Sequence, residues 1–272
     1  MHRSTPLCRA LALLSVFAAP SAFAAGNVTA ILFAGSLRVT GDIVDNAIRV
    51  APGANEDEVE LEGLNGTTVN GQIVTSVAGV TRNVKIDLSD GNDEVYVEDL
   101  HVPQDLEIVT GAGTDRVDLT DCEVGDDTRI ATGSDDDQVV LSTDVFHGRL
   151  FVKTDAGDDT IQLDLVTALD KVRIANGRGD DDVTIGGSSE FHGKVRVQAI
   201  AGHDTITVDD ATFNAPTQLS FAGGNDAATF SNATFLSRVE LNGGAGIDSY
   251  TDGGGNSFAV GLGIKKIENL LP

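Results

Sequence analysis

Asp155-Ala156-Gly157-Asp158-Asp159-Thr160-Ile161-Gln162-Leu163 is followed 22 residues later by Gly177-Arg178-Gly179-Asp180-Asp181-Asp182-Val183-Thr184-Ile185. Each stretch reads as a tight turn, an aspartate, and then apolar residues at alternate positions. Outward from this pair, Asp-x-apolar-x-apolar recurs at Asp93, Asp115, Asp137, Asp159, Asp181, Asp204, Asp226 and Asp248, in steps of 22 with one step of 23. A fixed period of this size marks a solenoid, in which each repeat is stable only against its neighbours.

Within each repeat, Val95, Val117, Val139, Ile161, Val183 and Ile206 stand two residues after the aspartate. Further on come Ile108, Ile130, Val152, Ile174, Val197, Leu219 and Leu241, all Val, Ile or Leu. Alternation with period two is a strand buried on one face. The sequence therefore predicts an all-β chain, a parallel β-solenoid or β-helix of about eight 22-residue rungs with two main strands per rung. Residues 26–88 alternate irregularly and read as a β-rich N-terminal cap; 89–252 form the repeat array, and 253–272 close the other end.

The first 25 residues carry Arg3 and Arg9, an apolar run from Ala10 to Ala19, and Ala22-Phe23-Ala24. That is the pattern of a signal peptide cut near Ala24 or Ala25, and the run falls short of the roughly 20 residues a bilayer needs. The expected product is secreted, periplasmic or held at the cell surface, with no membrane span. The net charge of −24 makes nucleic acid a poor partner and cations natural ones. Cys8 leaves with the signal, so Cys122 has no intramolecular partner and reads as a buried, inert thiol.

The turns before each aspartate include Gly111-Ala112-Gly113-Thr114-Asp115, Gly177-Arg178-Gly179-Asp180-Asp181 and Gly223-Gly224-Asn225-Asp226. Glycine there permits positive φ and close approach of stacked backbones. These turns resemble the haemolysin-type (RTX) calcium-binding repeat and its G-G-x-G-x-D motif, over roughly Ser89 to Asp252. They are also similar to exported bacterial proteins repeating T-G-x-G-x-D at a longer period. The resemblance implies Ca²⁺ held between turns. One loop serves each 22-residue rung here, so calcium would line a single edge.

A physical argument points the same way. Eight stacked carboxylates about 4.8 Å apart repel by roughly 0.9 kcal/mol per pair at water's permittivity, or about 3.5 at an effective value of 20. Neutral Asn would cap a turn without that repulsion. The expected metal set is therefore the eight repeat aspartates with Asp136, Asp158 and Asp180 beside them. The alternative is that these carboxylates only cap backbone N–H groups.

Basic residues also fall in columns. Arg149, Lys171, Lys194 and Arg238 share one, and Arg129, Arg173 and Arg196 share another two positions on. They read either as a docking face for an anionic polysaccharide or cell-envelope component, or as a solvated face balancing nearby acids. His147 and His192 stand two rungs apart, too far to share a metal, and read as isolated surface histidines.

Three functions fit these features. The first is a cation-stabilised structural, adhesion, matrix or cell-envelope solenoid that is not an enzyme. The second is a polysaccharide lyase or hydrolase on a β-helix, which needs long loops and a local break in the repeat, whereas the array contains one inserted residue. The third is ice binding, for which Thr184, Thr207 and Thr229 align.

Overall fold

A computed structural model describes residues 26–271; the expected signal segment, 1–25, lies outside the described residues. Among the described residues there is no helix, and the chain winds as a parallel β-solenoid of about nine turns with a period of about 22 residues.

From β7 onward a full turn carries three strands where the sequence predicted two main ones. β7 (Val84–Asp87), β8 (Glu94–Glu98) and β9 (His101–Val102) start a turn in the first, second and third sheets. Their counterparts one turn on are Leu106–Ala112, Arg116–Thr120 and Glu123–Val124. The pairing is parallel and in register, with Ile86, Ile108 and Ile130 side by side in the first sheet and Val95, Val117 and Val139 in the second. The third strand is only two or three residues long, too short for an alternation to show in sequence.

The alternating positions point inward as expected. Ile108, Ile130, Val152, Ile174, Val197, Leu219 and Leu241 are all fully buried. Each such side chain is worth about 1.5–3 kcal/mol relative to exposure, and a rung collects several of them from its three strands. In the third sheet Phe191, Phe213, Phe235 and Phe258 form a continuous stack, with ring centroids 5.0, 4.7 and 5.3 Å apart.

The two ends are built differently. β2 (Ser36–Thr40) and β3 (Ala47–Pro52) lie parallel to β7 and β8, Leu37 opposite Val84 and Ile48 opposite Val95, so part of the N-terminal region is a turn of the stack. The detour that follows adds β4 (Glu58–Gly63), β5 (Thr68–Val69) and β6 (Val74–Ala78). β4 and β6 extend the second sheet antiparallel, while β1 (Asn27–Phe33) and β5 extend the first. At the other end, Ser257–Phe258, Leu262–Lys265 and Asn269–Leu271 continue the parallel stack past the break at Gly253 to Asn256, leaving Leu270 and Leu271 exposed.

Candidate functional site

The glycine turn joins the first sheet to the second. Gly202, Gly224 and Gly246 share a column and sit at φ 138°, 148° and 146°. A methyl group on Gly224 would overlap the carbonyl oxygen of Gly202, and one on Gly246 that of Gly224. Both the backbone angle and the stacking distance therefore require glycine. Asp135 occupies the same column at φ 79°.

The eight repeat aspartates lie inside this corner, at most 3% exposed. From Asp115 on, each Oδ1 accepts the backbone N–H of the aspartate one turn earlier. Asp115 Oδ1 accepts from Asp93 at 2.8 Å, Asp137 from Asp115 at 2.9 Å, Asp159 from Asp137 at 2.9 Å and Asp181 from Asp159 at 3.0 Å. The ladder continues through Asp204, Asp226 and Asp248 at 3.1, 2.9 and 2.9 Å. Asn46 N–H starts it on Asp93 Oδ1, and Glu268 Oε2 ends it by accepting from Asp248 N–H.

Asp136, Asp158 and Asp180, one residue earlier, are exposed on the outside of the turn and form a second ladder running the opposite way. Asp158 N–H donates to Asp136 Oδ1, Asp180 N–H to Asp158 Oδ1 and His203 N–H to Asp180 Oδ1, at 2.8, 2.8 and 2.7 Å. The turn backbone is thus held from both sides by carboxylates.

The inner ladder leaves one atom of each carboxyl without a donor: Oδ2 of all eight aspartates is buried and unpartnered. Beside it runs a buried seam of Thr110, Thr132, Thr154 and Asn176, five residues before the aspartates, and both side-chain polar atoms of Asn176 also lack partners. Desolvation pushes Asp93, Asp137 and Asp181 up to about 7, and Asp115, Asp159 and Asp226 up to about 6, from an ordinary 3.8. Repulsion between neighbouring carboxyls acts in the same direction and is smaller; the N–H donors oppose it, and so do the seam threonine hydroxyls, which stand near Asp115, Asp137 and Asp159 without closing a hydrogen bond to Oδ2. Burial, which the repulsion argument did not weigh, is the dominant cost on the charged form. The threonine seam was present in the sequence as a column of Thr and Asn, but only burial reveals it as polar atoms inside a core.

A related device holds the corner between the second and third sheets. Cys122 N–H donates to Asp144 Oδ1 at 2.8 Å, Val166 N–H to Ser189 Oγ at 3.0 Å and Ala233 N–H to Asn256 Oδ1 at 2.9 Å. Cys122 is buried and free, and desolvation pushes its thiol up to about 12, which makes it inert. The histidines are not all isolated: Glu123 lies 2.8 Å from His147 and 3.6 Å from His101, and these contacts lower its pKa. Thr184, Thr207, Thr229 and Thr251 align in the second sheet, while the same column holds Tyr96, Asp118, Val140 and Gln162 in earlier turns.

Six of the seven basic residues come together on the outer face of the first sheet and its entry, Arg238 standing two turns beyond Lys194 with Pro216 between, and the seven divide into two groups. Arg129 pairs with Glu107 at 3.8 Å, Arg149 with Asp127, and Arg238 with Glu240. Lys171, Arg173, Lys194 and Arg196 have no carboxylate within ion-pair distance among the described residues, and all four are exposed. Arg173 and Arg196 are register partners on adjacent strands. Sequence reasoning missed Phe151, which takes the place between Arg129 and Arg173 in their column. Both guanidinium groups lie over its ring, 5.5 and 5.3 Å from the centroid, a cation–π arrangement that fixes two long side chains. Around it Leu106, Thr128, Arg149, Leu150 and Lys171 help line a shallow pocket of about 570 Å³.

Among the described residues no three His, Cys, Asp or Glu side chains gather to hold one metal ion. Compared with family models, with curated proteins and with solved structures, the chain matches none.

Proposed function

We propose that this chain is an exported structural or adhesion solenoid of the cell envelope or extracellular matrix that holds an anionic polysaccharide or envelope polymer on its first sheet. The observation that carries the reading is the block Lys171, Arg173, Lys194 and Arg196, four exposed cations on adjacent turns without acidic partners, on a chain of net charge −24. Like charges on neighbouring strands repel, and acids are abundant enough to have neutralised them. An anionic ligand supplies the missing partners. The overall negative charge does not prevent contact, because beyond about 10 Å it is screened at ordinary ionic strength.

The test is binding of the purified chain to a panel of acidic and neutral polysaccharides. Acidic polymers bind and neutral ones do not, and Arg173→Glu with Arg196→Glu removes the binding. Equal retention of neutral polymers would sink the reading.

Calcium is a second reading, supported by the buried Oδ2 atoms that no donor satisfies. Ca²⁺ takes flexible oxygen coordination and would neutralise ionised carboxylates along the corner. Asp93, Asp115, Asp137, Asp159, Asp181, Asp204, Asp226 and Asp248 would offer Oδ2, their Oδ1 atoms being engaged by backbone N–H groups. Asp136, Asp158 and Asp180 would offer exposed oxygens from the outer ladder. A melting temperature that is the same in millimolar Ca²⁺ and in chelator would remove this reading.

A further inference from the structure

We infer that the ligand of the basic face is a linear polyuronate, with one carboxylate on every sugar, laid parallel to the solenoid axis across the turns of Phe151, Arg173 and Arg196. The inference rests on the anionic-polymer reading and adds the ligand's charge repeat and its direction.

The direction follows from where the charges stop. Along the axis, one row runs Arg149, Lys171, Lys194 and the row beside it Phe151, Arg173, Arg196, each residue one turn from the next. Neighbouring turns stand about 4.8 Å apart, so Lys171 with Arg173 and Lys194 with Arg196 present cations at that repeat on two adjacent turns, and Arg149, paired with Asp127, extends the first row by one turn. Residues two apart share a face of the strand, and the rows lie about 6.6 Å from each other. Along a strand, at right angles to the axis, the picture reverses. Asp170 immediately precedes Lys171, and on the other side the chain enters the acidic turn with Asp180 exposed. A polyanion crossing the face meets Lys171, Arg173 and, in the turn, Arg178, with a carboxylate at either side, whereas one following the axis meets a cation on every turn of the patch.

The length of the site is also set. Toward the N-terminal end the first row becomes acidic at Asp127, which engages Arg149, and the second passes from Phe151 to Arg129, which is paired with Glu107 of the turn before. Toward the other end Pro216 and Gln218 replace the cations. The positive stretch is therefore two turns of unpaired cations, and three with Arg149. A uronate polymer carries its charge once per sugar ring, a repeat of the same order as the turn spacing, so successive carboxylates fall on successive turns. The guanidinium of Arg173 is held in place by Phe151 and costs less side-chain entropy on binding than a free arginine.

The experiment is calorimetric titration of the full chain with oligogalacturonates of two to eight units, with hyaluronate, whose carboxylate falls on every second sugar, and with poly-glutamate. Affinity is expected to rise at least tenfold from the dimer to the trimer or tetramer and then level off. Hyaluronate is expected to bind at least tenfold more weakly than an oligogalacturonate of equal sugar count, and poly-glutamate likewise. Lys194→Glu should move the plateau to shorter oligomers with an unchanged melting temperature. Binding that is indifferent to oligomer length and charge spacing overturns the axial register while leaving an anionic-polymer face. Equal binding of poly-glutamate overturns the sugar assignment. If no acidic polymer binds, the function proposed above fails with it.

Discussion

Two sets of charged residues repeat at the same spacing in this molecule and have opposite fates. The aspartate column turns inward, and every member hands an oxygen to the turn before it. The basic rows stay outside, and the four central cations of their face have no acidic partner among the described residues. A recurring charged position in a repeat protein is thus not by itself a ligand site. In the first column repetition solves a folding problem, since a parallel stack must satisfy the same turn amide on every rung. In the second, repetition over only three turns, with its ends marked by Asp127 and Gln218, is the pattern of a bounded surface.

The contrast predicts an order of effects on stability. The largest belongs to the corner itself: Gly224→Ala forces a methyl onto the carbonyl oxygen of Gly202 at φ 148°, and should cost about 3 kcal/mol or more. For a chain of this size that is a fall in melting temperature on the order of 10 °C. Next is the ladder. Asp159→Ala leaves the buried Asp137 N–H without its acceptor, a cost of about 1–3 kcal/mol in denaturant titration. Asp159→Asn keeps an oxygen for that N–H and removes the buried charge, so at pH 8 it should be at least as stable as the parent. If Asn proves as damaging as Ala, the charge itself is needed and a bound cation gains support.

Acidity comes third. The folded-state pKa values of Asp93, Asp115, Asp137, Asp159, Asp181 and Asp226, about 6 to 7, stand above the ordinary 3.8. Protons are therefore bound more tightly in the folded chain than in the unfolded one. The ladder's contribution is fully present below about pH 4 and is lost as pH rises through 6 to 7. The denaturation midpoint should drop between pH 5 and pH 8, and Asp159→Asn should shrink that drop. A midpoint rising over this interval would contradict a protonated ladder.

The two smallest effects lie outside the buried column. Leu165 holds a left-handed conformation, φ 56°, at the corner after the second sheet, with about half its surface exposed. Leu165→Asn should raise stability by about 0.5–1 kcal/mol, measured by thermal melting. Arg173→Glu with Arg196→Glu should leave the melting curve where it is and abolish polymer binding. A variant that loses both fold and binding would place these arginines with the structural column.

Much of this architecture was legible in one dimension. The 22-residue step, the inward Val, Ile and Leu columns and the glycine corners follow from the chain alone, because alternation fixes which side chains face in and a constant period fixes what stacks on what. The seven basic residues were legible as columns for the same reason. Hidden from that reading were the third strand, too short to alternate, and the parallel turn formed by β2 and β3, whose register with β7 and β8 spans a long antiparallel detour.

The tertiary structure alone decided what each column does. Whether Asp137 caps an amide or faces solvent depends on its side-chain direction against a residue 22 positions away. Whether Arg173 is free while Arg149 is paired depends on which acid the neighbouring turn brings within reach. The sequence by itself determined that carboxylates and cations would line up, since stacking copies a position from turn to turn. Burial and cross-turn contact, which exist only once the turns have stacked, made the acids a frame and left four of the cations exposed and unpaired.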